Sequence, residues 1–262
     1  MTRTAFFDHP DVIAMAHRGF TNGPGAPENS LPAFAAAVDL GFRYVETDVH
    51  ATVDGTLIAF HDDRLERVTD GSGVIAERPW SVVRQAKIAG TQEIPTLDMV
   101  LESWPELRVN IDCKAESAVQ PLVEVIERHR AHDRVCVASF SDERRRAVLR
   151  RLSRPVATSG GRSVISRFVV GGRTPAWARI PLGQNALRDV DCLQVPRAAG
   201  RIRVVTDASL RRAHNAGVQV HVWTIDDETQ MQELLDLGVD GIMTDRADRL
   251  RDVLVARGQW VS

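Results

Sequence analysis

Short strands rich in β-branched residues alternate with amphipathic helical stretches along most of the chain, and this alternation limits the possible folds more than any single residue does. The strand-like segments read "VIAMAH", "YVETDVH", "RVNIDCK", "RVCVASF", "PVATS", "CLQVP", "VQVHVWT" and "DGIMTD". Between them lie helical stretches such as "LPAFAAAVDLG", "AVQPLVEVIERHR", "DERRRAVLRRL", "DASLRRAHNAG", "DETQMQELLDLG" and "ADRLRDVLVARG". Gly41, Gly217 and Gly238 stand where a helix takes a left-handed cap. About eight strand–helix units predict a closed (β/α)8 TIM barrel, expected to be one catalytic domain over residues 1–262. An open doubly wound sheet is the alternative, but no GxGxxG follows the first strand and no GxxxxGK[ST] occurs. One stretch, residues 62–97, breaks the alternation. It carries Gly, Pro and charge and reads as an insertion after the second strand, poor in apolar anchors and expected to cover the C-terminal face.

Composition excludes several function classes. A formal net charge of −2 leaves no basic excess to neutralise nucleic-acid phosphates. The arginines of "DERRRAVLRRLSR" are mixed with acids at helical spacing and read as a solvated helix face. No apolar run is long enough to span a membrane, and the first residues carry an acid and a proline where a signal peptide needs an unbroken apolar stretch, so the expected location is cytoplasmic. Cys113, Cys136 and Cys192 are widely spaced and form no CxxC pair, which argues against a disulfide framework and a thiolate metal site.

The polar residues inside the strands point to a site. In the third strand Val109, Ile111 and Cys113 alternate with Asn110, Asp112 and Lys114; the apolar set suits the helix layer, so the polar set faces the barrel interior. The second strand sets Val45, Thr47 and Val49 against Tyr44, Glu46, Asp48 and His50 in the same way. Charges inside a barrel are costly unless they serve a ligand. These residues fall late in their strands, toward the C-terminal face where barrel enzymes keep their chemistry. His17 and Arg18 close the first strand at that face, and Trp223 ends the seventh.

A hairpin adds geometry. Asp54-Gly55, flanked by β-prone residues, predicts a two-residue turn that sets Asp48 opposite His61. Each residue alone has an ordinary reading: a strand-end histidine is commonly structural, Lys114 with Asp112 makes an ion pair, and Trp223 plugs a core. Their convergence on one barrel end argues otherwise. Three carboxylates, Glu46, Asp48 and Asp112, suit one hard cation, Mg²⁺ or Ca²⁺. Arg18 and Lys114 suit a phosphate, and two histidines supply acid and base for cleaving its ester. The sum is metal-assisted phosphodiester cleavage.

The motifs "AHRG", "PENSLPAFAAAVDLGFRYVETDVHATVDGTLIAFHDDRLERVTDGSG", "VNIDCK" and "VHVWTIDDETQMQELLDLGVDGIMTDRADRL" resemble the glycerophosphodiester phosphodiesterase family, from about residue 13 to 254 and weakly over 154–191. The resemblance implies a TIM barrel with a short insertion after the second strand. It matches His17 and His61 to the general acid and base, Glu46, Asp48 and Asp112 to the metal ligands, and Arg18 and Lys114 to the phosphate-binding cations. Glu28, within Pro-Glu-Asn, takes a supporting role close to the site, and Trp223 is a candidate substrate-binding residue. Asp112 stands where many members carry Glu, "PENS" replaces a commoner Thr ending, and "WTID" replaces a usual Asn. The implied substrate is a small glycerophosphodiester, cleaved to sn-glycerol 3-phosphate and an alcohol, a reaction of lipid and glycerol metabolism. A lysophospholipase D activity on the same barrel would need an apolar groove or loop, for which the insertion offers only Val74, Ile75 and Trp80. A non-catalytic phosphodiester-binding module would be expected to lack a histidine or a carboxylate, and none is missing.

Overall fold

The computed structural model describes residues 4–21, 26–172 and 187–261. Eight parallel strands run Ile13–His17, Tyr44–Ala51, Arg108–Cys113, Val135–Ala138, Ala157–Thr158, Cys192–Pro196, Gln219–Trp223 and Gly241–Thr244. They pair in the order fifth, fourth, third, second, first, eighth, seventh, sixth. A parallel bridge between Ser159 and Cys192 brings the sixth strand back against the fifth. The fold is a (β/α)8 TIM barrel, with all eight strands where the alternation predicts them. The Gly-Pro stretch between the first strand and its helix lies partly outside the described residues, as does part of the weakly matching 154–191 segment.

The helices follow from caps and apolar faces. Leu31–Asp39 starts at Ser30, whose hydroxyl accepts from the Ala33 N–H, with a proline in the first turn. Glu228–Leu237 is capped by Asp227 and stopped by left-handed Gly238. Gly41 and Gly217 are also left-handed, as expected. Between strands and helices lies a continuous apolar layer that includes Val45, Val109, Ile111, Val137, Leu193, Val222 and Ile242. The inside of the barrel has a separate core at its N-terminal end, built from Ile13, Met15, Tyr44, Cys136, Cys192 and Met243. A short helical turn, Ala5–Phe7, closes that end, and the Tyr44 hydroxyl donates to the Phe6 carbonyl at 2.7 Å.

Three expectations need correction. The hairpin after the second strand has a three-residue loop, Val53-Asp54-Gly55, with Gly55 left-handed and the Thr52 N–H on the Thr56 carbonyl. The register therefore slips by one: Val49 pairs with Ala59, and the Phe60 N–H, not that of His61, meets Asp48. The insertion is not poor in anchors. Leu65, Ile75, Val83, Ala86, Ile88 and Ile94 form a separate core with Ile58 and Phe60 of the preceding hairpin, and Val68 and Trp80 pack on it. Third, the arginine-rich helix Asp142–Leu149 is not wholly solvated. Arg145 is fully buried, 2.9 Å from Asp189 and 3.5 Å from Asp142. Composition could not reveal this, because Asp189 comes from a distant loop.

Candidate active site

A cavity of about 200 Å³ opens at the C-terminal end of the barrel. Its wall includes His17, Arg18, Glu46, Asp48, His61, Asp112, Lys114 and Trp223, so eight of the nine residues singled out in the sequence meet in one place. Glu28 is the exception: it stands behind the wall, 3.1 Å from Arg18 and 2.6 Å from Arg67.

The first strand delivers two groups by an abrupt change of direction. His17 is its last residue, and Arg18 and Gly19 both turn left-handed. Gly19 is required, since a Cβ there would come within 2.6 Å of the Ala33 backbone. Arg18 tolerates its φ of 55° because its N–H is held by the Glu46 carbonyl and its own carbonyl by the Asn29 N–H. Its side chain then spans Glu28 and Asp48, with Nε 3.1 Å from Asp48 Oδ2 but not aligned as a hydrogen bond.

The second and third strands lie in register, with Glu46 beside Asn110 and Asp48 beside Asp112. This sets three carboxylates facing one another. Lys114 Nζ bridges two of them, 2.7 Å from Asp48 Oδ1 and 2.7 Å from Asp112 Oδ2. One buried oxygen on each acid, Glu46 Oε2, Asp48 Oδ2 and Asp112 Oδ1, has no hydrogen-bond partner. Burial, then the Asp48 charge, pushes the Glu46 carboxyl up to about 8. Burial and the Asp48 charge also raise Asp112 against the pull of Lys114. Asp48 goes the other way: burial raises it, but Lys114 and Arg18 together leave it below the ordinary carboxylate range. Among the described residues no three His, Cys, Asp or Glu side chains converge as a ready-made metal cage. Yet buried carboxylate oxygens without donors are costly, and their chemistry fits a hard cation.

Both histidines are anchored through the same ring nitrogen. His17 Nδ1 lies 2.7 Å from Asp245 Oδ1, and His61 Nδ1 lies 2.6 Å from Asp62 Oδ1. A proton on each Nδ1 would leave Nε2 as the reactive nitrogen of both rings. Burial lowers the His17 pKa, but the Glu46 charge and the Asp245 hydrogen bond outweigh it and leave it above its ordinary value. His61 reaches the cavity despite the register slip. Its carbonyl accepts from His50 Nε2 at 3.1 Å, and Asp62 is tied through Arg67 to Glu28. The insertion thus reaches the barrel mouth through Asp62 and Arg67, on the C-terminal face where it was expected.

Sequence reasoning missed Asp245, Asp62 and Arg67. The signal for Asp245 was present, since it directly follows the eighth strand at the same face as His17. Asp62 adjoins His61 and could have been read as its partner. Arg67 gave no signal, because only the folded insertion brings it to Glu28.

Residues 17–249 match the model of the glycerophosphoryl diester phosphodiesterase family. The chain belongs to the glycerophosphoryl diester phosphodiesterase family. It is an enzyme of that family. It is 48% identical over 259 residues to a "Probable glycerophosphodiester phosphodiesterase 2" of Mycobacterium tuberculosis, covering 97% of this chain and 95% of that one. The fold is shared with a "Putative glycerophosphoryl diester phosphodiesterase" from Silicibacter pomeroyi, at a TM-score of 0.79 and 20% identity, covering 99% of this chain and 100% of that one. An Oleispira antarctica phosphodiesterase, solved in complex with the product sn-glycerol-3-phosphate, superposes with a TM-score of 0.77 at 24% identity, covering 97% and 100% of the two chains.

Proposed function

We propose that this enzyme hydrolyses glycerophosphodiesters to sn-glycerol 3-phosphate and the free alcohol, using one divalent cation and acid/base catalysis by His17 and His61. The observation that carries this reading is the pair of histidine–carboxylate couples facing one cavity that also holds Arg18, Lys114 and three partner-poor carboxylates. The product bound to the Oleispira antarctica phosphodiesterase is consistent with it.

In this scheme Arg18 and Lys114 draw the phosphate to the mouth and offset charge that grows on its oxygens in the transition state. Asp62 and Asp245 fix the orientation of the two imidazoles. His17, biased toward its protonated form, protonates the leaving alkoxide at Nε2 as its bond to phosphorus breaks; His61 takes the proton from the attacking water, whose oxygen forms the new bond to phosphorus. Glu46, Asp48 and Asp112 would hold Mg²⁺ or Ca²⁺ through the oxygens that lack donors. The bound ion would polarise the phosphoryl group and remove the repulsion among the three acids.

A lysophospholipid substrate is less well served. Of the three apolar residues in the insertion that could have received an acyl chain, Ile75 is fully buried and Trp80 packs on the same small core. Release of sn-glycerol 3-phosphate from a panel of glycerophosphodiesters and lysophospholipids tests the reading. Turnover of the glycerophosphodiesters at least about tenfold above the lysophospholipids is expected, since the insertion turns Ile75 and Trp80 into its own core and an acyl chain loses their share of burial energy. Preferential cleavage of the lysophospholipids would overturn it.

A further inference from the structure

The cavity has two unlike walls. The first three strands and the hairpin after the second supply the acids, the histidines and the phosphate-binding cations already described. The fourth to seventh strands and the segments that follow them supply Ser139, Phe140, Ser159, Gly160, Ile165 and Trp223. With the phosphate held at the charged wall, the leaving alcohol is set against the rim around Phe140, a placement that rests on the proposed activity.

Phe140 follows the fourth strand and is 42% exposed, with its ring 6.2 Å from that of Trp223. An aromatic pair at a rim invites comparison with a cage for a quaternary ammonium. The charges around it argue the reverse. Arg162 stacks its guanidinium 4.6 Å from the centre of the Phe140 ring, and Lys114 Nζ lies 5.4 Å from the same centre. The ring's attraction for a cation is already used twice. Lys114 is neutralised by Asp48 and Asp112, but Arg162 has no carboxylate within ion-pairing distance among the described residues. Neither has Arg144, whose Nη1 donates to the Cys113 carbonyl and the Ser139 hydroxyl while its buried Nε lacks a hydrogen-bond partner.

None of the nearby acids forms an ion pair with Arg162. Asp142 accepts from the Gly161, Ser163 and Val164 N–H groups and the Ser163 hydroxyl, and its charge faces the buried Arg145 at 3.5 Å. Glu116 is exposed and pairs with neither arginine. Arg162 therefore carries a positive charge with no ion-pair partner among the described residues, beside an accessible ring.

We propose that Phe140, on the cavity wall, and Arg162, stacked on its ring, form the subsite for the leaving alcohol, and that it selects a negatively charged head group over a quaternary ammonium. The head group's anion would meet Arg162 at the rim, while its carbon skeleton lies along Phe140. Arg162 is exposed, so a single charge contact there is worth a modest factor, about threefold to tenfold.

The test compares kcat/KM for three diesters sharing one glycerol half: glycerophosphoinositol 4-phosphate, glycerophosphoinositol and glycerophosphocholine. The wild-type enzyme should prefer the phosphorylated inositol head over the unphosphorylated one by about threefold to tenfold, and both over choline. Arg162→Glu should abolish or invert the first preference, and Arg162→Lys should retain it. Equal or better turnover of the choline diester by the wild type, or a phosphate preference unaltered in Arg162→Glu, overturns the proposal. Release of sn-glycerol 3-phosphate from none of the three would instead overturn the activity on which it rests.

Discussion

The two ends of the barrel are made from the same eight strands and follow opposite rules. At the N-terminal end the interior is filled. Phe6 packs edge-on against Tyr44 at 5.2 Å, and the Tyr44 hydroxyl that enters there finds a partner. At the C-terminal end the interior is open, three carboxylates line it, and one oxygen of each accepts no hydrogen bond. Alternation alone decides which side chains point inward; position along the strand decides whether they plug or react. The same second strand begins with Tyr44 in the plug and continues to Glu46 and Asp48 in the site. Mutations at the two ends should therefore separate stability from activity.

The sharpest contrast comes from the histidines. His17→Ala and His61→Ala should each lower kcat by about 10²–10⁴ while leaving the melting temperature close to that of the wild type. A kcat near normal for either variant removes that residue from the mechanism. At the opposite end, Phe6→Ala opens a cavity in a fully packed cluster and should cost about 3–5 kcal/mol in chemical unfolding, with kcat per folded molecule little changed. If Phe6→Ala instead lowers kcat as much as it lowers stability, the ends are coupled and the comparison breaks.

A smaller effect separates satisfied from unsatisfied carboxylates. Burial raises the Asp142 pKa, but the Ser163 hydroxyl and the Gly161 and Val164 N–H groups more than offset it and hold the group below its ordinary range. A carboxyl whose folded pKa is depressed adds stability above its unfolded pKa of about 4, and that share is lost as pH falls through the folded value. Asp142→Asn should cost about 1–3 kcal/mol at pH 7 and flatten the loss of stability on acidification. Urea unfolding of both proteins at pH 7 and pH 3 checks this; an unchanged acid dependence would mean that Asp142 does not contribute to it.

How much of this was legible in the sequence depended on the range of the interaction. The barrel followed from local alternation, and the site residues followed from their places near strand ends. Local rules failed where one residue changed a count or a distant partner decided burial. Left-handed Gly55 lengthened the hairpin loop by one residue and moved Phe60 into the place expected for His61. Asp189 turned Arg145 from an expected surface residue into a buried one. The plug was overlooked because Phe6 and Phe7 precede the first strand and follow no period. The apolar residues of the insertion are scattered among Gly and charge, and only folding gathers Leu65, Ile75, Val83 and Ile88 into one core.

In the proposed mechanism Glu46 Oε2, Asp48 Oδ2 and Asp112 Oδ1, which no hydrogen bond satisfies, receive the cation on which hydrolysis depends, displacing the longer ion pairs of the first with His17 at 3.7 Å and of the second with Arg18 at 3.1 Å. Calorimetric titration of chelator-stripped enzyme with Mg²⁺ or Ca²⁺, run beside an assay for sn-glycerol 3-phosphate release, tests it most directly. The account predicts binding of about one equivalent, loss of activity on stripping and its return on titration, with both binding and activity lost in Glu46→Gln. Full hydrolysis by the stripped enzyme, or by Glu46→Gln, would contradict it.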